Sequence, residues 1–223
     1  MARAPHVLVL GAKGLGRTVA EHMIGLGWTA TGVSRTQATA DTFPGRGLVA
    51  DVSDPDQLRA VVEDAGAIDL AVNAISPKGR FGGGDLITTD ERAMSPYLEQ
   101  LLPAVFGFYR IVGAAMVARG SGTIIQVTGG SARRALPGRA PWGAGAAATR
   151  ALSQAAANEL RAGGVHACLL ICDGSFGEPG NDHGGEKIDT VELAKTVRFI
   201  HDQGRSAWTH ELVVTPIGDR WTP

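Results

Sequence analysis

Residues 6–17 read HVLVLGAKGLGR, a short apolar run followed by three closely spaced glycines. The run predicts a buried strand, and the helical spacing of residues 14–26 predicts a helix directly after it. Glycine permits positive φ angles and a close approach of another group to the backbone, so Gly11, Gly14 and Gly16 predict a tight turn between strand and helix. The free amides at the start of such a helix favour an anionic group.

The rest of the chain continues this alternation of strand-like and helix-like segments. Further apolar runs cover residues 29–33, 47–50, 68–73, 122–127, 165–172 and 211–215. Helical spacing covers residues 54–65, 97–119, 142–162 and 190–203. Such alternation is typical of a parallel sheet with helices on both faces. We therefore expect an α/β fold, a doubly wound, Rossmann-like parallel sheet of about seven strands in a single domain spanning residues 1–223.

The composition fits a globular domain and excludes several functional classes. The chain has 223 residues, of which 44% are hydrophobic, with 21 basic and 22 acidic side chains. A net charge of -1 gives no electrostatic reason to expect a nucleic-acid partner. The longest apolar runs are strand-sized and no basic start precedes a long apolar segment, so we expect no membrane partner, no signal peptide and a cytoplasmic location.

The cysteines and histidines indicate neither a disulfide nor a metal site. Cys168 and Cys172 lie in one predicted strand, where about 13 Å would separate them, too far for a disulfide bond. They are expected to be small buried hydrophobic residues. No spacing of histidine with cysteine or carboxylates suggests a metal site, and we predict none.

The context of the glycine turn predicts a dinucleotide-binding site. The turn follows a strand, opens a helix and precedes a second strand that ends in Ser34-Arg35. In that context the helix amides bind a pyrophosphate. A carboxylate after the second strand would bind a ribose 2′-hydroxyl, whereas Arg35, together with Lys13 in the turn, favours a 2′-phosphate. The sequence therefore predicts NADP(H) over NAD(H); the alternative is that Arg35 is a solvated loop cation and Lys13 a chance residue.

Several motifs together resemble the short-chain dehydrogenase/reductase family. They are Gly11-x-x-Gly14-x-Gly16, Asp51-Val52, Asn73-Ala74, the run GTIIQVTGG at residues 122–130 and the ending AWTHEL at residues 207–212. The resemblance covers nearly the whole chain and implies an NAD(P)-binding Rossmann fold, with Asp51 and Val52 near the adenine and residues 73–75 along the ribose. The predicted cofactor-binding residues are therefore Gly11, Lys13, Gly14, Leu15, Gly16, Ser34, Arg35, Asp51, Val52, Asn73, Ala74 and Ile75.

Two departures from the family pattern bear on function. Family members space the glycines as G-x-x-x-G-x-G, so the present turn is one residue tighter, which predicts either weaker binding of the cofactor or its loss. The Asn-Ser-Tyr-Lys set that the family uses for proton transfer falls on Ala104, Gly129 (or Gly130), Trp142 and Ala146. An indole N–H donates a hydrogen bond but does not titrate near neutral pH, so the family's proton relay is absent. The sequence therefore resembles an atypical branch of the family.

Polar residues after the fifth and sixth strands are candidates for the missing chemistry. The hydroxyl of Ser131 or Thr128 would orient a substrate; the alternative is that both cap turns. Asp173 would act as a base at the cleft, or stabilise the turn before Gly174. Three arginines at positions 133, 134 and 139 would recognise an anionic substrate, or remain solvated.

Two further candidates lie elsewhere in the chain. Tyr97 starts a predicted helix and would face the cleft. His183 lies in residues 174–187, an aperiodic stretch that we interpret as a candidate substrate lid; a solvated loop histidine is the alternative. Trp142, Ser131 and Gly130 are predicted to line the substrate pocket, which the loss of four polar groups is expected to enlarge and dry.

Three functional hypotheses follow. The first is an NADPH-dependent oxidoreductase acting on a small organic substrate that is itself activated, such as an iminium or a quinone. The second is a non-redox cyclase, isomerase or dehydratase of small-molecule biosynthesis on the same scaffold. The third is a non-catalytic NADP(H)-binding protein. The resemblance also implies a homo-oligomer that pairs through the apolar faces of residues 101–117 and 143–160; the alternative is that these faces pack only into the core.

Overall fold

The computed structural model describes residues 3–77 and 84–219. Its sheet has the order β3-β2-β1-β4-β5-β6-β7, and each neighbouring pair of strands is parallel. The strands are β1 (His6–Leu10), β2 (Thr29–Ser34), β3 (Arg46–Val49), β4 (Leu70–Asn73), β5 (Gly122–Gly129), β6 (Val165–Cys172) and β7 (Glu211–Val214). The predicted doubly wound, Rossmann-like sheet is confirmed. The strand order reverses between β1 and β4, which is where such folds place their ligands.

Helices connect the strands. They are α1 (Leu15–Gly25), α2 (Gln37–Asp41), α3 (Pro55–Ala65), α4 (Glu91–Arg119), α5 (Ala140–Leu160) and α6 (Thr190–His201). The start of α3 follows from local sequence, because the Asp54 side chain accepts hydrogen bonds from the amides of Asp56 and Gln57 and Pro55 occupies the first turn. The five residues of α2 were not expected, since a single turn is too short to show a helical period.

Helix α4 starts six residues earlier than the sequence indicates. A 3-10 turn (Glu91–Met94) comes first, and π-helical turns at Pro96–Leu101 and Phe108–Val112 interrupt the α geometry. These turns shift the spacing of the apolar residues away from 3.6. Helix α4 is long and apolar enough to span a membrane. However, 56% of its most apolar stretch is buried, as in the core helix of a soluble protein.

Strand β1 shows why the sheet is buried on both faces. Leu8 and Leu10 pack into a core with α3, α4 and α5, whereas Val7 and Val9 pack into a second core with α1 and α6. The strand therefore reads as a continuous apolar run instead of alternating with polar residues. With both faces covered by helices, a ligand has access at the ends of the strands.

The two cysteines of β6 belong to this interior. Cys168 and Cys172 are free and buried, as predicted, and burial raises the pKa of both thiols to about 12. Neither is a reactive thiolate at neutral pH.

Candidate active site

A cleft of about 1270 Å³ lies at the carboxyl ends of the central strands. Residues that follow β1, β2, β3, β4, β5 and β6 line it, so it runs across the point where the strand order reverses. Most of the predicted site residues meet here. They are Gly11, Lys13, Gly14, Leu15, Ser34, Arg35, Asp51, Val52, Ala74, Ile75, Thr128, Gly130, Ser131, Trp142 and Asp173.

The glycine turn forms one wall of the cleft through its backbone. Gly11 has φ +94°, and a Cβ there would lie 2.9 Å from the Ala74 carbonyl oxygen. Gly14 has φ +50°, and a Cβ there would have nothing within 4 Å. No side chain caps the start of α1 at Gly14. The first amides of α1 therefore suit an anionic ligand such as a pyrophosphate.

Gly16, the third glycine, has a different role from the one predicted. It does not line the described cleft; instead a Cβ there would lie 2.1 Å from the Gly11 carbonyl oxygen and 2.8 Å from Cγ1 of Val9. The residue lets α1 pack against the turn and β1. It shapes the site without facing the ligand.

Two cations lie at the end of the cleft beyond β2. Lys13 and Arg35 are exposed and line the cleft, and neither side chain makes a hydrogen bond or ion pair with the residues that the structure describes. Nearby, Asp51 is held in place because its Oδ1 accepts hydrogen bonds from the amide and hydroxyl of Ser53, at 3.0 and 2.6 Å. These residues can hold a dinucleotide that carries a 2′-phosphate.

Asn73 is a structural residue of the sheet and does not line the described cleft. Its Nδ2 donates to Oε1 of Gln126 at 2.9 Å, and its Oδ1 accepts from the amide of Ile75 at 3.3 Å. The side chain is fully buried between β4 and β5. It therefore holds the turn that brings Ala74 and Ile75 to the cleft.

The two glycines at the end of β5 allow large side chains to approach from other elements. A Cβ on Gly129 would lie 3.0 Å from Cζ2 of Trp142, and a Cβ on Gly130 would lie 1.9 Å from Oδ1 of Asp173. Gly129 therefore lies against Trp142, the residue that the family resemblance aligns with the tyrosine. The pocket was expected to become larger and drier, but an indole and a carboxylate have entered this region.

The family resemblance aligns the asparagine and the lysine with two alanines, and these lie in different surroundings. Ala104 is buried on α4 and lines the cleft, whereas Ala146 is fully buried and does not. Gln100 lies one turn before Ala104 and also lines the cleft, with its Oε1 buried and without a hydrogen-bond donor among the described residues. No motif or spacing in the sequence singles out Gln100.

Asp173 is the most buried charged group of the cleft. The residue is 7% exposed, its amide donates to the Val214 carbonyl at 2.8 Å, and its Oδ1 accepts from Nη2 of Arg134 at 2.7 Å. Ser131 is also buried, at 6% exposed, and lies on the same loop as Arg134. Arg139 also lines the cleft, but Arg133 does not.

Tyr97 and His183 lie outside the cleft lining. Tyr97 is 1% exposed in the core, where its ring centroid is 6.0 Å from that of Trp142 and burial raises its pKa. His183 is exposed, with φ +52°. Neither position suits a group that must meet a substrate in this cleft.

The candidate lid, residues 174–187, touches the cleft only through its first residues. Gly174, Ser175 and Phe176 line the cleft, and Phe176 forms a β-bridge with Ile188 that folds the loop back on itself. The amide of Gly218 donates to the Gly185 carbonyl at 2.8 Å, so the chain after β7 also holds the loop. Closure over a substrate stays a prediction.

Comparisons with known proteins agree with this geometry. Residues 5–176 match the model of the short chain dehydrogenase family, and the chain belongs to that family. No curated protein sequence matched the chain.

Solved structures share the fold at low sequence identity. A short-chain dehydrogenase from Rhodopseudomonas palustris is 21% identical, with a TM-score of 0.82 over 96% of this chain and 100% of that chain. A gluconate 5-dehydrogenase from Burkholderia cenocepacia in complex with NADP and tartrate is 21% identical, with a TM-score of 0.81 over 96% and 94%. A metagenomic short-chain oxidoreductase in complex with NADP is 23% identical, with a TM-score of 0.75 over 95% and 96%.

Proposed function

We propose that this protein is an NADP(H)-dependent oxidoreductase that acts on a small organic substrate without the family's tyrosine and lysine relay. The observation that carries the proposal is the pair of cations, Lys13 and Arg35, that line the cleft without a partner in the described chain. A 2′-phosphate would neutralise them. Two solved structures of the same fold contain NADP, which supports this choice of cofactor.

The residues present fit such a cofactor. Gly11, Gly14 and Leu15 would hold the pyrophosphate on backbone amides, Arg35 would bind the 2′-phosphate, and Asp51 would lie near the adenosine. When bound, NADPH supplies a hydride to the substrate. The tighter spacing of the glycines leaves the turn intact, because Gly14 still faces open space.

The substrate must accept a hydride without a proton from the usual tyrosine. Trp142 and Gly129 offer no titratable group at that point. An iminium ion or a quinone meets this requirement, because its reacting carbon is already electron-poor. A simple ketone does not, since its oxygen needs a proton as the hydride arrives, and positioned acid catalysis is worth roughly 10²- to 10⁴-fold.

Cofactor preference is the first test. Fluorescence titration should show tighter binding of NADPH than of NADH, by about tenfold or more, since a charge-assisted hydrogen bond contributes about 1.5–3 kcal/mol. Arg35→Asp should remove or reverse the preference. Arg161→Asp is the matched control, because Arg161 is exposed and its side chain makes no ion pair or hydrogen bond in the described chain. If the wild type binds neither nucleotide, the proposal is wrong.

Turnover is the second test and separates redox from non-redox function. Oxidation of NADPH, followed by its absorbance, is expected with iminium or quinone substrates and not with simple ketones. Conversion of substrate without loss of NADPH would favour a cyclase, isomerase or dehydratase, which the lack of a titratable group at Trp142 also fits. Nucleotide binding without turnover across the panel would favour a non-catalytic NADP(H)-binding protein.

We also propose self-association through α4. Leu98 and Phe106 on this helix are each 55% exposed, and burial of these side chains against a second copy would remove apolar surface from water. Light scattering of the purified protein tests this, and a monomer at micromolar concentration would contradict it.

A further inference from the structure

Asp173 carries a carboxylate oxygen that the fold leaves available at the cleft. Its Oδ1 is engaged by Arg134 at 2.7 Å. Its Oδ2 makes no hydrogen bond within the described residues, and this oxygen is accessible at the cleft. An ionised carboxylate only accepts hydrogen bonds, so a ligand that meets Oδ2 must bring an N–H or O–H donor.

The carboxylate is held rigidly where a ligand would meet it. Gly130 permits its approach, because a Cβ there would lie 1.9 Å from Oδ1. The Asp173 side chain is 10% exposed and Arg134 is 24% exposed, so the pair is largely removed from water. A hydrogen bond from a charged donor is stronger in such a setting than at the surface.

Trp142 supplies a second feature that suits a cation. Trp142 lies against Gly129, and Asp173 lies against the next residue, Gly130. The indole and the carboxylate therefore reach the same end of β5. Both line the cleft. A cation within about 6 Å of an indole face is attracted by the negative face of the ring.

The local charge does not oppose a cation. Four charged residues of the described chain line the cleft after β5, β6 and β7: Arg134, Arg139, Asp173 and Asp219. Two positive and two negative side chains balance. These residues therefore add no net positive charge that would repel a cation from the Asp173 carboxylate.

From this geometry we infer that the substrate is a protonated imine whose N–H binds Oδ2 of Asp173, with the C=N group beside Trp142. The inference rests on the proposed function and narrows its substrate class. A protonated imine that accepts a hydride at carbon becomes an amine, because the C=N π electrons become the nitrogen lone pair. No proton from the protein is needed, which accounts for a site without tyrosine and lysine. The arginine orients the carboxylate and does not touch the reacting atoms.

The test compares two cations that differ in one donor: protonated 3,4-dihydroisoquinoline, which has an N–H, and N-methyl-3,4-dihydroisoquinolinium, which has none. Equilibrium binding is measured by calorimetry without cofactor. The wild type should bind the N–H cation tighter by about tenfold or more, the effect of one charge-assisted hydrogen bond. Asp173→Asn should lose this preference, and Glu178→Gln, which removes an exposed carboxylate from the adjacent loop, should retain it.

A second variant covers the case in which Asp173→Asn does not fold. Arg134→Gln keeps the carboxylate but removes its anchor, and it should reduce the preference for the N–H cation by severalfold. Because the substitution also removes a positive charge beside the site, the N-methyl cation should bind no more weakly than to the wild type. Equal binding of the two cations by the wild type, or a preference that survives Asp173→Asn, would overturn the inference. NADPH binding is measured separately, so a failure of the proposed cofactor is distinguishable from a failure of the imine subsite.

Discussion

At the β1–α1 end of the cleft the backbone forms the site, whereas at the β5–β6 end side chains form it. Gly11 and Gly14 bring the main chain to the ligand, and their conformations follow from the absence of a Cβ. At the other end Gly129 and Gly130 serve the opposite purpose, because they make room for Trp142 and Asp173. The two ends of the cleft are therefore under separate structural constraints, and the side chains of one end can change while the other keeps its geometry.

The largest expected effect is at the backbone-built end. Gly16→Ala places a Cβ 2.1 Å from the Gly11 carbonyl oxygen, and backbone cannot move aside as a side chain can. We expect a loss of about 3 kcal/mol in the free energy of unfolding, at the upper end of overpacking effects, together with loss of NADPH binding. Urea denaturation measures the first and fluorescence titration the second.

Gly25→Ala, in the same helix, is the control for Gly16→Ala. A Cβ there has nothing within 4 Å, and the residue is exposed at the end of α1. It should raise stability by about 0.5–1 kcal/mol. Equal effects of the two substitutions would show that the contact with Gly11 does not constrain the turn.

A smaller effect is expected at the end built from side chains. Gly130→Ala forces the Asp173 carboxylate away from the Cβ, which breaks its contact with Arg134. We expect a loss of about 1–2 kcal/mol, because a side chain can move where backbone cannot. NADPH affinity should stay within about twofold of wild type, since each end acts independently. A parallel loss of cofactor binding would show that the two ends are coupled; Gly143→Ala, which meets nothing within 4 Å, is the control.

The pH dependence of stability should come from neither end of the cleft. Burial lowers the pKa of His6, His166 and His201 below the usual 6.5. The unfolded chain takes up these protons as the pH falls through 6.5, and the folded protein does not. Stability is therefore present above pH 6.5 and is lost below it. The urea midpoint, measured from neutral pH downward, should fall accordingly.

Two outcomes would contradict the assignment to these histidines. One is a changed pH profile in His183→Gln, which replaces an exposed histidine of the loop. The other is a flat profile in the wild type, which would show that the three histidines do not remain neutral in the folded protein.

The smallest effect is expected from restoring one of the family's four proton-transfer residues, the tyrosine. Trp142→Tyr should leave NADPH oxidation with simple ketones at the wild-type level, because Ala146 provides no lysine to lower the pKa of the new phenol. Absorbance of NADPH measures this, with unchanged NADPH affinity as the check on folding. A large gain in ketone reduction would show that a single side chain separates this site from the rest of the family.

Sequence reasoning identified the sheet because its signals are local. Apolar runs give the strands to within about two residues. The missed parts, α2 and the last two residues of β5 (Thr128 and Gly129), are too short to show a period. The glycine turn, Lys13 and Arg35 were selected as site residues for the same reason. A local pattern does not show which way a residue faces, so it could not tell that Gly16 and Asn73 lie outside the lining of the described cleft.

The sequence by itself determined that this chain folds as a doubly wound sheet with a glycine turn after the first strand, because strand periodicity and glycine conformation depend on neighbouring residues. The tertiary structure decided which side chains lie at the β5–β6 end of the cleft. The Asn73 side chain is hydrogen-bonded to Gln126. The Asp173 carboxylate is hydrogen-bonded to Arg134, which lies 39 residues earlier in the chain. Such contacts depend on the register between strands and on loop closure, which local patterns do not encode.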